Sequence, residues 1–93
     1  MDASVVENAE LKRFEMALPE GALAAIYYRE DEEGRLELVH TEVPFEHSGQ
    51  GHATRLAAGA LDIIRRSGRK AVFRCPFVSG FLTRHPDYAD LVG

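Results

Sequence analysis

The chain has 93 residues, a net charge of −4 and 45% hydrophobic residues. That length fits one domain, which buries about two-thirds of its unfolded surface, and no apolar run approaches the ~20 residues of a membrane span. An acidic balance argues against a general nucleic-acid binder, which needs a basic face, and the single cysteine, Cys75, rules out an internal disulfide. The opening segment "MDASVVENAELKRF" lacks the basic and apolar regions of a leader, so a reducing cytoplasm is the expected compartment. Charge is unevenly spread. Residues 1–46 carry 12 acidic against 4 basic side chains, and residues 47–93 carry 3 against 7. The basic half therefore opens at residue 47, and a small anionic ligand would find a favourable field there.

Taken in chain order, "ELKRFEMAL" (10–18) alternates through Leu11, Phe14, Met16 and Leu18 and predicts a strand. Pro19-Glu20-Gly21 is a turn. "ALAAIYYRE" (22–30) predicts a second strand, with one of Tyr27 and Tyr28 facing the core and the other the opposite face. "DEEG" (31–34) is a charged hairpin turn, and "RLELVHTEV" (35–43) a third strand stopped by Pro44. Three sequential strands with short turns make an antiparallel meander.

The period then changes. Ala53, Leu56, Ala57, Ala60, Leu61 and Ile64 recur every three or four residues and share one helical face. Gly68 is its stop signal, with Arg65 and Arg66 favoured by the dipole in the last turn. "KAVFRC" (70–75) predicts a short strand ended by Pro76, "FVSGFLTR" (77–84) a short helix, and "PDYADLV" a last helical turn. Strand, helix and strand form a crossover, so the third and fourth strands run parallel. The fold class is α/β: an antiparallel β-meander followed by a βαβ unit with one parallel strand pair and a short C-terminal helix.

That topology puts "HSGQGHATRL" (47–56) at the carboxyl end of a strand and the amino end of a helix, where ligands favour open α/β sheets. Glycines at 49 and 51 let a bulky anion reach the unpaired amides of the first helical turn without meeting a Cβ, and phosphate or pyrophosphate is the natural guest. Thr54 adds a hydroxyl. The P-loop pattern is absent, because no lysine follows Gly51. The dinucleotide fingerprint fails at its third glycine and has Arg69 and Lys70 where an acidic residue belongs. Four histidines are present, among them His47 and His52, but without metal-ligand spacing no metal is expected.

Ser48-Gly49-Gln50-Gly51-His52-Ala53 resembles the acyl-CoA pyrophosphate loop of the GNAT N-acetyltransferase superfamily, Q/R-x-x-G-x-G/A, with Ser48 at the Gln/Arg position. "HTEVP" before the loop and "CPFVSGFLTRHPDYADLV" after it are similar to a minimal family in which one acetyltransferase-like module forms the whole protein, here a single domain over 1–93. The resemblance implies acetyl-CoA as the cofactor. Its pantetheine would pair with Glu42 and Val43, and its pyrophosphate would sit on the loop Gly49, Gln50, Gly51, His52, Ala53 and Thr54. It also implies Cys75, at the end of the second parallel strand, as a catalytic residue with His40 as its helper. Two routes stay open: acetyl transfer through Cys75, or direct attack of an amine with His40 or Glu42 as general base. The expected partner is a primary amine (a protein lysine, an N-terminus or a polyamine), with no nucleic acid and no membrane. The alternative is a non-catalytic CoA-binding or protein-interaction module. His85, before Pro86, is expected to cap the preceding helix or to pack near the cofactor.

Overall fold

The structure is a computed structural model and describes residues 5–93. Residues 1–4, part of the segment read above for a leader, lie outside the described residues. Five strands form one sheet in sequence order: β1 (Val5–Asn8), β2 (Arg13–Ala17), β3 (Leu23–Glu30), β4 (Leu36–Glu42) and β5 (Ala71–Phe73). The first four pair antiparallel, and β4 and β5 pair parallel. Helix α1 (His52–Arg66) makes the crossover, and α2 (Pro76–Arg84) follows β5. Among the described residues, no helix is long and apolar enough to cross a membrane.

The predicted meander of three strands has four. β1 was missed because "VVEN" is short and carries one apolar pair within an acidic stretch. Its Val5 joins the buried cluster while Val6 is exposed. Leu11, expected on the strand, instead lies exposed in the connection, where Lys12 takes a φ of 57° and β2 starts at Arg13. At the hairpin, Asp31 Oδ1 accepts from the amides of Glu33 and Arg35, both at 2.9 Å, so an Asx turn closes the loop. The stop after α1 is as predicted: Gly68 has a φ of 76°, and the amides of Gly68 and Arg69 bond back to the Arg65 and Ile64 carbonyls.

The core lies between the sheet and the helices. Phe14, Met16, Ile26, Leu36 and Leu38 meet Leu56, Leu61 and Ile64 of α1 and Val78 and Phe81 of α2 in one cluster, with Tyr28 inside it and Tyr27 outside. His85 ends α2, its amide bonded to the Phe81 and Leu82 carbonyls and its ring stacked on Phe81 at 4.2 Å. The opposite face of the sheet is polar. Arg13 pairs with Glu15 at 2.5 Å, and Arg29 with Glu37 at 2.5 Å.

One polar cluster ties β1 to the crossover. Glu7 accepts two hydrogen bonds from Arg69, at 2.7 and 3.1 Å, and one from the Tyr28 hydroxyl at 2.5 Å. The Arg69 hydrogen bond, opposed by burial and helped by Tyr28, holds the Glu7 carboxyl below its ordinary 4.5. Burial and the bond to Glu7 push Tyr28 up to about 12. A carboxylate with a lowered folded pKa contributes stability above its ordinary value and loses it as the pH falls through the lowered one. Glu7→Gln should therefore cost about 1–2 kcal/mol at neutral pH, and thermal melts from pH 7 downwards should show a shallower loss of stability below about 4.5 than the parent. An unchanged acid slope would show that this cluster does not contribute.

Candidate functional site

The start of α1 is unusual in what it lacks. Its N-cap is Gly51 (φ 80°, ψ 5°), with no side-chain cap and no acidic residue in the first turn. The first intrahelical bond runs from the Arg55 amide to the Gly51 carbonyl at 3.2 Å, so the amides of His52, Ala53 and Thr54 lie ahead of the helix's own ladder. Gly49 also has a positive φ, 77°. A Cβ at Gly49 or Gly51 would meet nothing within 4 Å. Backbone conformation rather than protein crowding requires glycine there, since L-residues resist this region. The loop thus turns left-handed twice and aims uncapped donors outward.

Those donors open on a cleft of about 230 Å³, lined by Val43, His47, Ser48, Gly49, Gly51, His52, Ala53, Thr54 and Phe77. Six of the eight residues read as cofactor-binding meet there: Val43, Gly49, Gly51, His52, Ala53 and Thr54. Glu42 and Gln50 do not line it. Gln50 is exposed and its Oε1 lies 3.1 Å from His52 Nε2. Ser48 turns its hydroxyl back to the Phe45 carbonyl at 2.9 Å. Two lining residues escaped the sequence reading as cofactor contacts. His47 was weighed only as a metal ligand, and Phe77 only as part of a helix. The Cys-Pro-Phe order, which turns the chain into α2, is the signal that pointed to Phe77.

Beside the cleft the sheet splits. β4 and β5 pair only as far as Leu38 opposite Phe73. The Leu38 carbonyl then accepts both the Arg74 and the Cys75 amides, at 3.0 and 2.8 Å, and Pro76 turns the chain into α2. β4 continues to Glu42 without β5 alongside. This explains why the predicted strand 70–75 stops at Phe73.

A bulge in β4 decides which side chains face this opening. Tyr27 pairs with His40 but Tyr28 pairs with Leu38, leaving Val39 as an extra residue. Leu36 and Leu38 point to the core; past the bulge the parity flips. Thr41, opposite the buried Ile26, faces inward and its Oγ1 lies 3.1 Å from Cys75 Sγ. His40 and Glu42 face the polar side, with their side chains 61% and 63% exposed and 3.9 Å apart. The His40 ring stacks on Tyr27 at 5.8 Å, and Arg13 donates to the Tyr27 hydroxyl at 3.2 Å. The structure does not bring His40 to Cys75. Cys75 is a buried member of the core, at 4% exposure, and its side-chain partner is Thr41.

The electrostatics are local. Four of the second half's seven cations are engaged elsewhere: Arg65 with Asp90, Arg69 with Glu7, Arg74 with Glu37 and Lys70 with the Asp90 carbonyl. Arg55 is at the loop, its Nη2 2.6 Å from His52 Nδ1. Burial, followed by Arg55 and His47, lowers the His52 pKa from its ordinary value. Among the described residues, no group of three or more His, Cys, Asp or Glu could hold a metal ion.

A mixed sheet splayed at its parallel pair thus lies beside an uncapped helix start. The family model described as GCN5-related N-acetyl-transferase matches residues 13–91, and the chain belongs to that family. It is also similar to the NMR solution structure of a GCN5-like protein from Staphylococcus aureus. That likeness has 25% identity and a TM-score of 0.71, and covers 100% of this chain and 91% of that one. No curated protein matches the chain. Family members typically use acetyl-CoA.

Proposed function

We propose that this chain, acting as one domain over 1–93 in the cytoplasm, transfers the acetyl group of acetyl-CoA to a primary amine. The observation that carries the reading is the helix start: three amides ahead of the ladder, no cap, no carboxylate, and a cleft against them. This donor set suits a pyrophosphate. Val43 and Phe77 give the same cleft two apolar walls, and the unpaired stretch of β4 offers backbone groups to an extended amide chain.

Acetyl-CoA supplies an acetyl thioester, and the protein's own residues do the rest. The polar sheet face beside the split carries His40 and Glu42, which suit a cationic amine better than the buried core does. His40, stacked on Tyr27 and beside Glu42, accepts the amine proton at a ring nitrogen. Cys75 packs against Thr41 and takes no acetyl group, because a buried thiol with no base or cation in contact is a poor nucleophile.

The test is a thermal-shift titration with CoA and acetyl-CoA, followed by release of free thiol in the presence of amines. Ligand at about a hundred times Kd should add roughly 2.7 kcal/mol of stability. Gly51→Val, a β-branched residue forced to φ 80°, should weaken binding by about tenfold or more. Stabilisation without thiol release from any amine would favour the non-catalytic module. No stabilisation at all would remove the CoA reading.

A further inference from the structure

Among the described residues, five large apolar side chains are exposed: Val6, Leu11, Leu23, Phe45 and Val92. Leu11 lies in the β1–β2 connection and Val92 beside Ala71 of β5, both at the end of the sheet where β4 begins. The other three gather at the opposite end, where β4 stops and the cleft opens. Val6 and Leu23, 54% and 37% exposed, stand on the polar face of the sheet, since their neighbours Val5 and Ala24 are the buried ones. Val6 shares one cross-strand row with Glu15, Ala25 and Glu42. Carried two residues past Ala25 and Glu42, the β3–β4 register brings Leu23 to Pro44 and the turn Phe45–His47. Phe45 is 89% exposed and is held there: its carbonyl accepts the Ser48 amide at 3.1 Å and the Ser48 hydroxyl at 2.9 Å. Single apolar residues on a surface need no explanation, but three at one end, beside a cleft, form a contact surface.

The charge of this end is one-sided. Segments 5–7, 14–26 and 41–51, which build it, hold five glutamates and no lysine or arginine. Arg69 takes Glu7 and Arg13 takes Glu15, whereas Glu20, Glu42 and Glu46 stand exposed. From α1 comes Arg55, beside His52 in the loop. A surface both acidic and apolar suits a partner that is cationic and apolar. A second copy docked here about a two-fold axis would set these carboxylates against one another, which disfavours it. A polyamine would use the charge alone and leave the three apolar side chains uncovered. The row from Val6 to Glu42 crosses three strand spacings, about 14 Å, which an extended segment of about five residues covers.

We infer that this end of the sheet docks the acetyl acceptor as an extended polypeptide segment. A lysine of that segment lies at His40 and Glu42, and its apolar and basic neighbours lie on Val6, Leu23 and Phe45 and on the exposed glutamates. This rests on the acetyl-transfer reading above and names its substrate class: a lysine within a protein, not a polyamine. The lysine Nζ bonds to the acetyl carbon as the thioester C–S bond breaks, His40 takes the amine proton, and CoA leaves as its thiolate. The apolar contacts choose the segment, and the carboxylates draw it in.

The probes are two lysine-centred octapeptides, added to the full chain with and without acetyl-CoA. One carries leucine before the lysine, phenylalanine after it and one arginine; the other has serine in place of both apolar residues. NMR titration should place the first on the resonances of Val6, Leu23 and Phe45, with a Kd about tenfold or more below that of the serine peptide. Thiol release should favour it over the serine peptide and over spermidine by a similar factor in kcat/KM. Phe45→Ser and Leu23→Ser, at exposed positions where the fold loses little, should each cut that preference to about threefold or less. Equal affinity for the two peptides, binding elsewhere, or no binding of either overturns the docking surface, and stabilisation by CoA then leaves the CoA reading standing. A chain that acetylates spermidine but not the bound peptide also overturns it, as does a self-association that Phe45→Ser abolishes, which would give the surface to a second copy. If CoA does not stabilise the chain, the acetyl-transfer reading falls, and the NMR titration alone decides whether this end takes a cationic, apolar peptide.

Discussion

Replacing His40 by alanine is expected to lower kcat by about 10²-fold or more while the KM for acetyl-CoA changes by less than about threefold. The bulge at Val39 sends His40 to the polar face of the sheet, beside the split and outside the cleft's lining, with Glu42 3.9 Å away and Tyr27 stacked against it. Under the proposed function, loss of a proton acceptor that lies outside the glycine loop affects turnover and leaves donor binding in place. Cys75→Ala is the paired measurement. It removes a small core side chain and its contact with Thr41, so it should cost about 1 kcal/mol of stability and leave kcat within a few-fold. An acetyl adduct on Cys75 in intact-mass spectra, about 42 Da, that turns over with amine would reverse these assignments.

Gly59→Val should destabilise the fold by about 3 kcal/mol, lowering Tm by ten degrees or more. Gly59 is buried on the core face of α1, and a Cβ built there lies 2.4 Å from Val5 Cγ2 and 2.7 Å from Val5 Cβ. The helix can approach β1 this closely only because the side chain is absent. In an open helix interior, replacing glycine by alanine stabilises by about 1 kcal/mol; here Gly59→Ala should still destabilise, and Val5→Ala in that background should recover part of the loss by removing Cγ2. Chemical denaturation of the four proteins gives the coupling directly. A Gly59→Ala variant more stable than the parent would mean that β1 does not pack on α1 as described.

Fold class was largely legible because each long element announces itself by period: the alternation around Phe14 and Met16, the three-and-four spacing from Leu56 to Ile64, and the Gly68 stop. β1 was not legible, since a four-residue edge strand with one buried valine carries too little pattern, and its place is set by Gly59 and Arg69 far along the chain. The glycine loop was legible as a turn at a helix start, although the glycines answer to backbone sign more than to crowding. The geometry around His40 was not. Strict alternation from Leu36 and Leu38 puts His40 inward, toward Cys75; one extra residue reverses it, and nothing in "LVHTE" marks Val39 as that residue. The Leu38 carbonyl that receives two amides is equally invisible, because it arises where two strands distant in sequence part company.

That extra residue has an evolutionary side. Beyond Val39, β4 and the residue that follows it present Thr41 and Val43 to the interior and His40 and Glu42 to the outside, so neighbouring codons serve different masters. Under the proposed function, drift at the outward pair would retune which amine is accepted, while the inward pair keeps its grip on a donor that never changes. A small domain with few walls to vary could in this way diversify its substrates along a single strand, one alternate position at a time.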